Sequence, residues 1–288
     1  MRERIISGVI IAAMIVGFGL AGGYALAFLI MVCSIIGYQE LVKATGVLEK
    51  GENAKLLTLI GVGMAVVLYM GLMVIQARHG EDPGHMVFAS DFLTMVVIVV
   101  TFLGMMTAYV LNFPGYSSEQ VMASFFGFVY APVLMSFVYR SRLLPYGLFM
   151  YAMIFVCSSI CDTCALAAGM AFGKHKMAPV LSPKKTIEGA IGGVLGSAVC
   201  SVILSLILKG FYPDADFKVQ FLIIGVLGAL ISMIGDLAAS AIKRNHGIKD
   251  YGSLIPGHGG IMDRFDSIIF TAPLIFILGA FLLGTVTL

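Results

Sequence analysis

The sequence predicts an all-α polytopic integral membrane protein with about nine transmembrane helices and a cytoplasmic N-terminus. Three observations carry that expectation. Hydrophobic residues make up 59% of the 288 and charged residues 12%, with a mean hydropathy of +1.00, which excludes a water-soluble domain of this size. Apolar runs of about 18 residues or more recur along the whole chain. The basic residues, finally, are concentrated in alternate loops.

The spans are expected at roughly 5–20, 23–42, 56–75, 88–111, 120–138, 147–171, 187–209, 219–242 and 267–286. Backbone polar groups cannot be left unpaired in hydrocarbon, so each segment is a helix. A short glycine turn at 19–23 separates the first two. The first, although it follows the basic start Met1-Arg2-Glu3-Arg4, is read as a retained span and not a cleaved signal. A cytoplasmic N-terminus puts Arg2, Arg4, Lys43, Lys50, Lys55, Lys174, Lys176, Lys184, Lys185, Lys243, Arg244, Lys249 and Arg264 on the cytoplasmic side. The other side receives only Arg78, Arg140, Arg142, Lys209 and Lys218. Both large polar loops, around 172–186 and 243–266, then face the cytoplasm.

The first five spans are poor in chemistry. Glu40 and Lys43 read as a helix-end pair at the membrane interface. His79 and His85 are simply solvated in the short polar loop at 76–87. The five cysteines all fall in apolar segments, and Cys157, Cys161 and Cys164 share a helix face. An odd, buried set argues against a disulfide framework, and small packing residues are preferred over a redox or metal role.

The texture changes from residue 147. Asp162 lies about ten residues inside the sixth span, roughly 15 Å deep at about 1.5 Å per residue. A carboxylate there costs roughly 2.5–3.5 kcal/mol on insertion scales, so it is either functional or a polar group joining helices. Beyond that span, Ser182-Pro183 reads as a helix start, with Ser182 as N-cap and Lys184 and Lys185 in the first turn. Two lysines at a helix N-terminus point to a bound anion or to positive decoration of the membrane surface. Gly189, Gly192, Gly193 and Gly196 then permit a close helix contact, within the chain or across a homodimer.

The longest polar passage runs from Asp236 to Asp266. Asp236, Ser240 and Lys243 share one face at the end of the eighth span, and Asp263 and Asp266 share a face at the start of the ninth. Taken alone, Asp263 and Asp266 could be ordinary helix-start acids, and 256–260 an ordinary turn around His258. Two carboxylates one turn apart with a third from a neighbouring helix also suit a hard cation such as Mg2+, which completes its shell with substrate phosphates. The surrounding lysines and arginines would then hold the phosphates.

From Ser240 to Asp266 the chain resembles the signature of the phosphatidate cytidylyltransferase (CDP-diacylglycerol synthase) family, bacterial type. The matching positions are Ser240, Ile242, Lys243, Arg244, Lys249, Asp250, Gly252, Ile255, Pro256, His258, Gly259, Gly260, Ile261, Asp263, Arg264, Phe265 and Asp266. The likeness extends upstream to Asp162-Thr163, Gly173-Lys174, Ser182-Pro183-Lys184-Lys185-Thr186 and Glu188-Gly189. Leu166, Met170 and Ile187 stand where the family usually has Tyr, Arg and Trp, and the chain has no Trp at all.

The resemblance implies transfer of CMP from CTP to phosphatidate at the cytoplasmic face of the cell membrane. It implies Mg2+ held by Asp236, Asp263 and Asp266, with Asp162 as a further ligand or the group that orients one. Lys243 joins the acids as a catalytic residue. Ser182, Lys184, Lys185, Ser240, Arg244, Lys249, His258 and Arg264 form the substrate-binding set. Residues 1–146 would be a membrane scaffold of about five helices and 147–288 the catalytic region. Membrane lipid is the expected surrounding, and no nucleic-acid partner is expected. The rival reading is an ion-coupled secondary transporter using Asp162, although no inverted repeat is visible and the charges gather on one face.

Overall fold

The computed structural model describes residues 2–47, 54–80, 82–255 and 259–284. Lys50 and His258 therefore lie outside the described residues. The helices are α1 (Arg2–Ala21), α2 (Gly23–Ala44), α3 (Ala54–His79), α4 (Pro83–Leu111), α5 (Ser118–Leu143), α6 (Gly147–Phe172), α7 (Ile187–Phe211), α8 (Lys218–Asn245) and α9 (Met262–Leu282). Among the described residues, eight of these are long and apolar enough to cross a membrane, and Gly8–Ala21 within α1 is a shorter apolar helix. The protein is an all-α polytopic membrane protein. Its single sheet among the described residues is a hairpin of β1 (Lys176–Ala178) and β2 (Ser182–Thr186), paired antiparallel with Lys176 opposite Thr186.

Local chemistry sets the helix ends. Gly22 and Gly23, with φ of 61° and 49°, make the turn between α1 and α2 in a backbone region that L side chains avoid. Asp82 caps α4 by accepting from the His85 N–H at 3.1 Å, with Pro83 in the first turn, so α4 begins earlier than its hydropathy suggests. Ser117 and Gln120 form a reciprocal capping box on α5. Pro132 lies inside α5, where its missing N–H is accommodated by a π turn at Val129–Val133.

The chain divides into two compact units. The first comprises residues 1–139 and 246–265. Its core is tyrosine-rich: Tyr38, Tyr69 and Tyr139 are fully buried, and each hydroxyl finds an acceptor. Tyr38 donates to the Leu57 carbonyl at 3.5 Å, Tyr69 to the Pro132 carbonyl at 3.3 Å, and Tyr139 to Gln76 Oε1. Gly61 lies under the Tyr38 ring, where any Cβ would overlap the phenol, and this brings α2 and α3 together.

The second unit comprises residues 140–245 and 266–288. Here α6, α7 and α8 pack through small residues. A Cβ on Gly189 would fall 2.7 Å from the Ala165 carbonyl, one on Gly193 2.9 Å from the Cys161 carbonyl, and one on Gly228 2.6 Å from Cys157 Sγ. Gly192 and Gly196 lie equally close to Ala168 and Cys164. The glycine face read from the sequence is thus filled within the chain, by α6. All five cysteines are free thiols, and Cys157, Cys161 and Cys164 serve as small packing groups in this seam. Ser197 donates to the Gly225 carbonyl at 2.9 Å, tying α7 to α8.

Two readings of the basic residues change. Arg140 is not a loop cation: it is 2% exposed, with its guanidinium 4.3 Å over the Phe276 ring. Lys209 and Lys218 both pair with Asp216, at 2.7 and 3.8 Å, and they hold its carboxyl below the usual range. The connection between α7 and α8 is therefore less basic than Lys209 and Lys218 alone suggest.

The α6–α7 seam gives a direct test. Gly192→Val should destabilise the protein by about 1–3 kcal/mol through overpacking, read as a lower Tm in detergent. Gly63→Ala, at a position with open space around the added methyl, should leave Tm unchanged.

Candidate active site

The second unit carries an open cavity of about 230 Å³ whose polar wall includes Asp162, Lys185 and Asp236, with Leu166, Met177 and Met233 among its apolar lining. Each polar residue comes from a different element. Asp162 stands on α6 just after a second π turn, Val156–Ile160. Lys185 stands on β2. Asp236 stands on α8, and its Oδ2 is ion-paired with Lys185 Nζ, both side chains being about a quarter exposed. Asp162 lies within electrostatic reach of both.

The sequence reading of Ser182 as an N-cap is corrected here. Ser182–Thr186 is a strand, and Thr186 caps α7 by accepting from the Gly189 N–H at 3.1 Å. Pro183 belongs to a two-stranded hairpin, where a missing N–H is tolerated. Lys184 and Lys185 therefore alternate across a strand: Lys184 is exposed, while Lys185 turns into the cavity. Glu188 stabilises this arrangement by accepting from the backbone N–H groups of Lys174 and His175, at 3.1 and 3.2 Å, and from His175 Nδ1 at 2.6 Å. Glu188 was visible in the sequence as part of the family likeness, but its hold on the hairpin was not.

The acid of α9 in this unit is Asp266, which lies within electrostatic reach of Asp236, Lys243 and Asp162. Gly235 makes the approach possible, since a Cβ there would fall 2.9 Å from the Asp266 carbonyl and 2.9 Å from Phe270 Cβ. Ser240, one turn beyond Asp236, is half-buried; Lys243 is half-buried and Arg244 exposed in the last turn of α8. The structure thus brings together Asp162, Lys185, Asp236, Asp266 and Lys243. Leu166, one of the departures from the family pattern, forms part of the apolar wall.

In the first unit, Lys249, Asp250 and Arg264 are exposed, and Asp263 is buried. Asp263 Oδ2 accepts from the Tyr251 N–H at 2.8 Å and the Gly260 N–H at 3.0 Å, so this oxygen holds the loop that precedes α9. Glu40 is the residue that sequence reasoning missed. Its carboxylate does not act as half of an interfacial pair with Lys43; it accepts from the Ile261 and Met262 N–H groups, at 3.1 and 2.9 Å. The partners are 221 and 222 residues away, a separation no local pattern reveals.

Among the described residues, no three His, Cys, Asp or Glu side chains form a ready-made metal site. A Mg2+-type ion asks less of the protein, since one or two carboxylates plus substrate phosphates suffice. Asp236 and Asp266, on adjoining helices with cations beside them, fit that pattern.

Comparison with known proteins follows the same direction. The chain matches the sequence model described as the cytidylyltransferase family over residues 2–282. It is 30% identical over 280 residues to a phosphatidate cytidylyltransferase of Staphylococcus aureus (strain COL), covering 96% of this chain and 98% of that one. It is 31% identical over 283 residues to the protein of that name in Staphylococcus saprophyticus, with the same coverage. The phosphatidate cytidylyltransferase of Bacillus subtilis (strain 168) is 29% identical over 281 residues, covering 96% and 97%.

Lys185→Met should leave Asp162 and Asp236 facing each other without their cation and destabilise the protein by about 1–3 kcal/mol, between the costs at surface and buried pairs. Adding Asp236→Asn should restore part of the lost Tm in detergent. An unchanged Tm in the single variant would show that the pair contributes nothing to stability.

Proposed function

The chain belongs to the cytidylyltransferase family, and we propose that it transfers CMP from CTP to phosphatidate, forming CDP-diacylglycerol and releasing pyrophosphate. A phosphate oxygen of the lipid attacks the α-phosphorus of CTP; the bond from that phosphorus to the β-phosphate oxygen breaks, and the electron pair leaves with pyrophosphate. The nucleophile comes with the substrate, so no activated serine or cysteine is needed. What the protein must supply is alignment of two anions and neutralisation of the charge that develops.

The observation that carries this reading is the cavity of the second unit, where Lys185 and Asp236 are paired beside Asp162 and against an apolar wall. A polar end suits phosphates and an apolar side suits a lipid substrate. In this reading Lys185 and Lys243 receive phosphate oxygens, with Lys184 and Arg244 at the exposed approach and Ser182 and Ser240 as neutral donors. Asp236 and Asp266 would hold Mg2+, which when bound offsets charge on the phosphates. Asp162 orients Lys185. Asp263 belongs to the proposed metal set and also anchors its loop. Lys249, Arg264 and His258 remain substrate-binding candidates from the family signature.

The site is proposed to face the cytoplasm, where CTP is available, in the cell membrane, where phosphatidate is. A homodimer would have to use a face other than the glycine seam of α7, which α6 occupies.

The test is incubation of membranes carrying the protein with phosphatidate, Mg2+ and CTP labelled in the cytidine. Label should enter the lipid extract, stop on chelation and return with added Mg2+. Asp236→Asn and Asp266→Asn should each lower the rate by about 10²–10³-fold, as expected for loss of a group that stabilises transition-state charge. Absence of CTP-dependent label defeats the enzyme reading, and full activity in both variants defeats the metal assignment.

A further inference from the structure

We propose that Glu40 is a positioning residue for this reaction, an inference that rests on the function proposed above. It does so by clamping the N-terminus of α9, the helix whose first turns carry Asp263 and Asp266.

The clamp has two layers, both within the first unit. In the outer layer, the two oxygens of Glu40 each accept one backbone N–H, from Ile261 and from Met262, at 3.1 and 2.9 Å. The first N–H groups of a helix have no partner within the helix, so a carboxylate here satisfies two of them and also favours the positive end of the helix dipole. Gly37, one turn earlier on α2, provides a second point of contact: a Cβ there would lie 2.8 Å from Met262 Sδ. In the inner layer, Asp263 Oδ2 accepts from the Tyr251 and Gly260 N–H groups.

Gly252 and Gly260 explain why the loop can close on both acids. A Cβ on either would overlap the Glu40 carboxylate. Neither has a positive φ, so turn geometry does not demand glycine at these positions. The close passage of the Glu40 carboxylate does. Two glycines of the signature and an acid from α2 thus form one device, and its output is the position of the first turn of α9. Glu40 acts through the backbone at 261 and 262, and through it on the acids that follow at 263 and 266.

The inference is tested with full-length protein in vesicles containing phosphatidate, comparing Glu40→Gln, Glu40→Ala and Glu40→Asp. Glu40→Gln keeps the size but replaces one acceptor oxygen with an N–H donor aimed at another N–H. It and Glu40→Ala should lower kcat by about 10- to 100-fold, the scale of a misplaced reacting group, while KM for CTP moves by less than about threefold. Amide exchange at Ile261 and Met262 should accelerate by about tenfold, with the other helices unchanged. Glu40→Asp, which keeps the charge and both oxygens, should recover part of each effect.

Gly260→Ala should reproduce the loss from the opposite side, and in combination with Glu40→Ala it should add little, because both variants break one clamp. If Glu40→Ala does not fold, Glu40→Asp and Gly260→Ala still decide. Wild-type kcat and exchange in Glu40→Gln overturn the inference. So does a uniform rise in exchange with kcat per folded molecule unchanged, since that marks a purely structural residue. A wild-type protein that labels no lipid defeats the functional reading instead, and the exchange measurement then reports on the clamp by itself.

Discussion

A carboxylate carried on a membrane helix has to be met by a cation or by N–H groups, because hydrocarbon offers it nothing. Asp236 is met by Lys185, with Asp162 sharing the same field. Asp263 and Glu40 are met by backbone N–H groups of the loop before α9. Asp266 accepts from the Ser267 N–H at 2.8 Å and lies in the field of Lys243. These partners account for much of the architecture. The hairpin exists to carry a lysine to the acids, and the loop before α9 is folded around two carboxylates.

Close helix packing makes those meetings possible. The glycines of α7 let α6 approach until backbone carbonyls and thiols fill the space where side chains would stand. Asp162 on α6 and the hairpin entering α7 are thereby held at the same end of the seam. Gly235 does the corresponding service between α8 and α9, setting Asp236 and Asp266 on touching turns. Without a hydrophobic driving force between helices in lipid, small residues and a few hydrogen bonds supply the specificity of the assembly.

An enzyme that joins a nucleotide to a lipid has to offer water-facing charge beside an apolar surface. The cavity combines Lys185 and two aspartates with Leu166, Met177 and Met233. One of its acids, Asp236, is already paired with the lysine before substrate arrives. In the proposed reaction the same lysine would exchange a carboxylate for a phosphate oxygen.

What the sequence determined by itself was the class and the family. Runs of apolar residues long enough to span a bilayer admit only helices, and the spacing from Ser240 to Asp266 carries the family resemblance that implies the chemistry. Local rules also located a glycine turn within 19–23, which the structure narrows to Gly22 and Gly23, and the packing role of the cysteines. Contacts between distant segments were decided only by the tertiary structure. Glu40 looked like half of a surface pair because its N–H partners lie more than two hundred residues away. Ser182 looked like an N-cap because Ser-Pro is a good local helix start; pairing with Lys176–Ala178 made it a strand and moved the cap to Thr186. Arg140 looked like a loop cation until the Phe276 ring was found beneath it. In each case local propensity differs between alternatives by a kcal/mol or so, about what a single hydrogen bond or cation–ring contact contributes, so the partner supplied by the fold decides.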